Sequence, residues 1–300
     1  MGTIRIAACP VCGSHDISRQ LSAKDYTVSQ QSFDIWECAA CSLRFTQDIP
    51  GLSSVGQFYQ SNDYISHTDT REGLINKLYH FVRKRTLQKK LRLVESETGI
   101  KKGNLLDIGA GTGAFLHTAH LHGWQVTGLE PDSATRDRAA SLYQLGLQDI
   151  NALAGLPAKS FDAVTMWHVL EHVHELHTTI EQIKNLLTNK GRAFIAVPNY
   201  TSYDATAYEQ YWAAYDVPRH LYHFSPAAVE KLLQLHGLQL LQLKPMWYDS
   251  FYISMLSEQY KNGKSNLIRA VWTGLCSNLT AFFNRRRCSS VIYIIGKQLF

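Results

Sequence analysis

The sequence predicts an α/β fold, a doubly wound and mostly parallel sheet, preceded by a small cysteine-held unit. Three observations carry this. The segment from Gly103 to Glu130 reads as an apolar strand, a glycine turn, a helix and a second strand ending in an acid, which is half of a nucleotide-binding α/β domain. Strand and helix patterns then keep alternating along the chain, as a parallel sheet with crossover helices requires. Two C-x-x-C pairs, Cys9 with Cys12 and Cys38 with Cys41, stand apart near the start.

A chain of 300 residues can bury one large core and a small one. The expected division is 1–50 for the cysteine unit, 51–100 for a helical connector and 101–300 for the α/β domain. No signal peptide and no apolar stretch long enough to cross a bilayer is expected. Six cysteines without a secretion signal imply reduced thiols and a cytoplasmic setting. The net charge of +5 is modest and concentrated at Arg83 to Lys102 and Arg285 to Arg287. Such basic faces are ordinarily just solvated; contact with RNA or a membrane surface is the alternative.

In the first unit, 25 residues separate Cys12 from Cys38. Each C-x-x-C knuckle can present two thiolates to one tetrahedral ion, and the polar, β-prone segment between them suits a hairpin. This is a zinc-ribbon pattern with Cys9, Cys12, Cys38 and Cys41 as ligands of a structural Zn2+, because four thiolates leave no open coordination position. Cys276 and Cys288 have no such partners. In the connector, Leu74, Leu78, Phe81 and Val82, then Leu87, Leu91 and Val94, mark helices with an apolar stripe. Packing between domains is the simpler use of this segment, and Tyr59 and Tyr64 offer a cover for a ligand pocket.

The glycine turn after strand Asn104 to Ile108 must let backbone approach a ligand, which a Cβ would obstruct. Gly109, Gly111 and Ala114 also satisfy a dinucleotide spacing. Asp107, two residues before the first glycine, favours a cationic ligand, since its carboxylate would repel a pyrophosphate. Glu130, about twenty residues on, suits ribose hydroxyls. In these residues, DIGAGTG resembles the first motif of the class I S-adenosylmethionine (SAM)-dependent methyltransferases. Gly128 to Asp132, Ser160 to Val173 and the turn Asn189 to Arg192 extend the resemblance over roughly 103–200. It implies SAM as cofactor, bound by Asp107, Gly109, Ala110, Gly111, Gly113, Glu130, Pro131 and Trp167.

Further elements follow in order. A helix at Ser133 to Tyr143 leads to a short third strand at Leu147 to Ile150, and Ala163 to Met166 forms a fourth. The helix Leu176 to Leu187 precedes strand five, Ala193 to Val197; Ser225-Pro226 caps a helix that leads to strand six, Leu238 to Leu243. The last strand is Ser290 to Ile295. This order resembles the seven-stranded methyltransferase sheet, whose final strand inserts antiparallel between strands five and six. Long insertions, near 199–224 and 245–287, then fall at the carboxyl ends and are expected to wall or cover the acceptor. The second carries Leu267, Ile268, Val271, Trp272, Leu275, Leu279, Phe282 and Phe283 at helical spacing. Such a stripe ordinarily faces the core; an apolar acceptor pocket or peripheral membrane contact through 266–287 is the alternative.

The densest chemical constellation is Trp167 to His172. In a helical turn, His168, Glu171 and His172 lie at i, i+3 and i+4 and share a side. His168 or His172 is a candidate general base, and His220 a second one. The segment is similar to that of ubiquinone-biosynthesis O-methyltransferases, where an acid, acid, histidine set can hold a metal. A divalent metal at His168, Glu171 and His172 is the lesser alternative, because His168 replaces an acid and magnesium prefers oxygen. Pro198-Asn199 and the stretch Tyr211 to Phe224 resemble a methyltransferase subgroup with an N-terminal zinc ribbon. There Arg219 is either a clamp for an anionic acceptor or the partner of Asp216 in a structural ion pair. The function expected is methyl transfer to a small-molecule hydroxyl or carbon of a sugar, polysaccharide precursor, lipid-linked or secondary metabolite. An RNA methyltransferase gripping nucleic acid with its ribbon, and a non-catalytic SAM-binding scaffold, are the rivals.

Overall fold

The structure, a computed structural model, describes residues 3–59 and 74–298; side chains of 52, 53 and 74–84 lie outside the description. Tyr64 and the stripe positions Leu74, Leu78, Phe81 and Val82 therefore fall outside the described side chains.

The chain opens with β1 (Thr3–Ile4), β2 (Ile17–Lys24), β3 (Ser32–Cys38), β4 (Arg44–Thr46) and β5 (Ile49–Pro50), then the short helix α1 (Leu52–Val55). The expected hairpin is β2 with β3, antiparallel from Ile17 opposite Cys38 to Lys24 opposite Ser32. A single long helix, α2 (Leu74–Thr98), occupies the connector and ends at Gly99, whose positive φ of 69° suits a helix terminus. Its last turns bury Leu91 and Val94 against Leu105, Phe115 and Phe194. Each such side chain contributes about 1.5–3 kcal/mol of burial.

The α/β unit follows as β6 (Asn104–Ile108), α3 (Ala114–Leu121), β7 (Gln125–Leu129), α4 (Ser133–Tyr143), β8 (Phe161–Trp167), α5 (Leu176–Leu186) and β9 (Leu187–Pro198). It continues through α6 (Tyr203–Tyr208), β10 (Tyr222–His223), α7 (Pro226–Leu235), β11 (Leu238–Pro245), α8 (Asp249–Asn262), α9 (Leu267–Phe283) and β12 (Ser290–Lys297). Ser225 caps α7 as expected, its hydroxyl accepting the Ala228 N–H at 3.0 Å, with Pro226 in the first turn. The central sheet has the order β11-β12-β9-β8-β6-β7, with β12 antiparallel between β11 and β9 and the pairs β6–β7, β6–β8 and β8–β9 parallel. Alternate residues face opposite layers: Leu106, Val164 and Ile195 join one core cluster, Leu105, Ala163 and Phe194 the other.

Among the described residues this sheet has six strands, where the resemblance implied seven. At the expected third strand only one parallel bridge forms, Leu129 with Gln148. Arg136 from α4 bonds the carbonyls of Glu130 and Pro131 and the carboxylate of Asp149, which ends the pairing after one residue. A cavity of about 790 Å³ lies at this open edge, lined by Gln125, Leu145, Leu147 and Phe161 among others. It sits at the amino ends of the strands, the wrong end for the ligand of an open α/β sheet.

Two further departures concern the insertions. β10, from the first, joins the ribbon: the ribbon sheet has the order β10-β4-β3-β2, with Tyr222 opposite Phe45. Cys9, Cys38, Leu43 and Phe45 of the ribbon share one core cluster with Val197, Leu221 and Tyr293. In the second, the stripe on α9 faces outward rather than into the core: Ile268 is 84% and Trp272 67% exposed. The buried stripe is the small one, Ala270, Gly274, Ser277 and Ala281. A Cβ on Gly274 would lie 2.6 Å from Phe251 Cδ1, so α9 packs on α8 too closely for large side chains. No helix of the described residues is long and apolar enough to cross a membrane.

Candidate active site

Strands β6 and β8 lie side by side with Ile108 opposite Met166, so the turn after β6 and the segment after β8 open on one crevice. Gly109, Gly111 and Gly113 have φ of 70°, 53° and 77°, which L side chains rarely adopt. At Gly109 a Cβ would also meet Val169 Cγ2 at 2.4 Å, while Gly111 borders open space. Ala110 between them donates its N–H to Leu129 O at 2.9 Å, holding the turn against β7.

Asp107 is buried at the end of β6 and accepts the Thr165 hydroxyl at 2.6 Å. Burial pushes its pKa up to about 7, against the opposing effects of Thr165 and the Lys90 ammonium. Glu130 accepts N–H bonds from Gly111 at 2.9 Å and Asp132 at 3.2 Å, and burial raises its pKa too. A carboxylate has about four acceptor sites, so Glu130 keeps capacity for hydroxyl donors. Pro131 follows it, exposed, its carbonyl taken by Arg136. Trp167, at the end of β8, stands edge-on to Phe115 at 5.4 Å, and its buried indole N–H has no partner. Over its face, 4.2 Å from the ring centre, lies Lys90 from α2. Two buried carboxyl groups with raised pKa favour a cation placed between them.

His168 begins the next segment in a left-handed conformation, φ 59°. Its Nε2 lies 3.1 Å from Asp249 Oδ2 and its Nδ1 3.4 Å from Glu171 Oε1. Burial opposes the charge, but Asp249 and Glu171 outweigh it and raise the pKa to about 9. With a carboxylate at each ring nitrogen, the charged imidazole is favoured at His168, which suits a positioning cation better than the base expected there. The expected triple of His168, Glu171 and His172 is corrected as well. Leu170–His172 is a single tight turn, and the three metal-competent groups that converge, within 4.8 Å, are Glu171, His172 and His220.

His172 Nδ1 lies 3.0 Å from the Arg219 carbonyl and 3.0 Å from the Tyr59 hydroxyl. A carbonyl only accepts, so this network assigns the hydrogen to Nδ1 and leaves Nε2 a bare lone pair. His220 repeats the pattern, its Nδ1 2.8 Å from Ala214 O. The two rings meet edge to face, 4.6 Å apart. Burial, helped by His220, lowers the His172 pKa to about 4, so it is neutral at pH 7. Glu171 is fully buried with neither oxygen hydrogen-bonded, and the nearby His168 holds its pKa low against the effect of burial.

Arg219 has its guanidinium bonded within the protein. It is 1% exposed, donating to both Asp216 oxygens, to Asp25 at 3.0 Å and to Phe58 O at 2.9 Å. Of the two alternatives left by the sequence, this geometry is the structural ion pair, extended by a ribbon residue. The ribbon also grips the neighbouring chain: Thr46 Oγ1 donates to His220 O at 2.7 Å, and Thr46 N–H to Leu221 O at 3.0 Å. Leu221 N–H in turn bonds Glu171 O at 2.7 Å, tying the insertion to the turn after β8. At the other end of the ribbon, Cys9 and Cys41 sulfurs lie 3.4 Å apart and Cys12 and Cys38 3.6 Å, all four within 4.8 Å. Metal–sulfur bonds of about 2.3 Å in a tetrahedron place sulfurs about 3.8 Å apart, so the cluster suits one ion.

Sequence reasoning missed Asp249, Lys90 and Asp25. Asp249 had a usable signal, because it follows the carboxyl end of β11. Lys90 and Asp25 had none, since each reaches the site only through packing of distant segments.

A family model described as a methyltransferase domain matches residues 78–243, more than half of the chain. The chain is 29% identical over 158 residues to a ubiquinone biosynthesis O-methyltransferase of Xanthomonas axonopodis pv. citri, covering 48% of this chain and 66% of that protein. It is 27% identical over 173 residues to one from Coxiella burnetii, covering 53% and 73%. Among solved structures it resembles a magnesium protoporphyrin IX methyltransferase from Synechocystis PCC 6803, solved with bound SAH. The TM-score is 0.52 at 15% identity, over 82% of this chain and 99% of that one.

Proposed function

The chain belongs to the methyltransferase-domain family, whose members use SAM, and from that premise we propose methyl transfer to a hydroxyl of a small-molecule acceptor, with His172 and His220 taking the proton. SAM supplies an activated methyl on a sulfonium, so the protein has chiefly to align acceptor and donor and hold a base. Asp107 and Glu130 bind the donor, the first answering its positive charge and the second its ribose hydroxyls; the loop from Gly109 to Gly113, with Ala110, Pro131 and Trp167, completes that side. What supports the reading is the pair of imidazoles, 4.6 Å apart, each with its Nδ1 directed at a backbone carbonyl, which leaves the Nε2 atoms as the groups placed to exchange a proton. His168, already protonated, positions Glu171 and Asp249. The ribbon of 1–50, closed by Zn2+ on Cys9, Cys12, Cys38 and Cys41, and the connector of 51–100 support a catalytic unit of 101–300.

One observation favours a second reading of the same residues. Glu171 is a buried carboxylate without a hydrogen bond, facing two imidazoles whose second nitrogens are already anchored, which is how metal-ligating histidines are held. Two nitrogens and one carboxylate suit zinc or iron better than magnesium. Single His172→Gln and His220→Gln variants, assayed for turnover and for SAM binding by calorimetry, test both readings. Loss of about 100-fold or more in turnover with unchanged SAM binding is expected; unchanged turnover in both variants overturns the assignment. Turnover lost on dialysis against EDTA and restored by a divalent ion, with the ribbon metal still present by mass spectrometry, selects the metal reading.

A further inference from the structure

Helix α9 is amphipathic the wrong way round for a water-soluble protein. Its small residues pack inward, and Ile268, Val271, Trp272, Leu275, Leu279 and Phe282 are all about half exposed or more. At about 100° per residue these six fall on one side of the helix, opposite the packed stripe. Scattered surface hydrophobics need no explanation, but a continuous row on one helix marks a docking face.

Charge identifies what it docks on. From Gln259 to Phe300 the chain has no aspartate or glutamate, and it carries Lys261, Lys264, Arg269, Arg285, Arg286, Arg287 and Lys297. Arg269 is exposed on the apolar helix itself, and Arg285 and Arg287 are exposed just past its end; Arg286 is held by Glu230 at 2.7 Å. A second copy would bring the same cations against this face and be repelled. Trp247 and Tyr248, also exposed, stand beside the middle of α9, where Asn278 binds Trp247 O at 2.8 Å. An apolar row in a segment whose only charged residues are basic, with aromatic neighbours, is the composition of a helix lying in a membrane interface.

We propose that α9 docks this protein on an anionic lipid surface, lying parallel to it with Trp272 and its apolar neighbours among the acyl chains. The same two-helix unit supplies Asp249 to His168, so the docking face and the crevice are built on one pair of helices. The proposal does not depend on methyl transfer, and its test reads binding alone.

The full chain is mixed with phosphatidylcholine vesicles with and without phosphatidylglycerol, and sedimented. Binding to the anionic vesicles is expected, weakening with salt, and about tenfold or more stronger than to pure phosphatidylcholine. The double variant Ile268→Ser, Trp272→Ser should lose about tenfold or more of that binding with an unchanged melting temperature, because both positions are exposed. Trp272→Phe should keep the binding but lose the part of the tryptophan fluorescence that brominated lipid quenches. Absence of binding to anionic vesicles, or equal binding by the double variant, overturns the proposal. So does a dimer in analytical ultracentrifugation that the double variant abolishes while vesicles bind neither form, which would assign the face to a second copy.

Discussion

The two sides of the crevice are assembled by opposite routes. On the glycine-loop side, Asp107, the turn from Gly109 to Gly113, and Glu130 come from one strand, turn, helix and strand, tied to one another by bonds such as Gly111 N–H to Glu130 and to the neighbouring strand by Thr165 on Asp107. On the histidine side, His172 is fixed by Tyr59 and Arg219, Arg219 by Asp25 and Asp216, and His220 by Thr46 and Ala214. That side draws on the ribbon, the start of the connector and the first insertion at once. Damage on the first side should thus stay local, whereas damage to the distant ribbon should reach the histidines.

The furthest-reaching test of this contrast is removal of the Zn2+ proposed at the four cysteines. After chelation, or in Cys9→Ser, the sheet that carries β10 loses its closure, and His220 loses the hold of Thr46. A misplacement of about 1 Å costs on the order of 100-fold in rate. Methyl transfer should fall by about that factor while the SAM dissociation constant from calorimetry moves less than about twofold; a collapse of SAM binding would break the comparison. A second test is Arg219→Met, which leaves the buried Asp25 and the partly exposed Asp216 without their cation. Removing one partner of a buried pair costs about 3–5 kcal/mol, readable by denaturant unfolding.

Asp107→Asn should do the reverse. SAM affinity should drop about 10–100-fold, or about 1.4–2.7 kcal/mol, while the melting temperature holds or rises, because burial already disfavours this carboxylate. In the unaltered protein, only the ionised carboxyl answers the cationic ligand. Affinity measured calorimetrically should therefore fall as pH drops through about 7, and be flat in the variant. The smallest effect belongs to His168. Its folded pKa of about 9 lies above the ordinary 6.5, so its stabilisation is fully present below 6.5 and lost as pH rises through 9. With the side chain a third exposed, the effect is about 1 kcal/mol after solvent screening. His168→Gln should remove that slope from the pH dependence of the unfolding free energy.

What the sequence determined by itself is what local geometry enforces. Positive φ and close approach demand glycine at Gly109, so the loop was legible; four cysteines in two knuckles can meet at one ion, so the cluster was legible; β-branched and aromatic runs marked the last strand, whose antiparallel place was implied by the resemblance to the methyltransferase sheet. Tertiary structure decided the rest, because it turned on which distant segments meet. The third strand shrank to one bridge when Arg136 took the carbonyls beyond it, and α9 turned its large residues outward because only its small face fits against Phe251. His168 went from base to fixed cation because α8 brought Asp249 to it. A spacing can show which side chains share a face, but a proton's location depends on the charges brought alongside, and Asp249 came from 81 residues further along the chain.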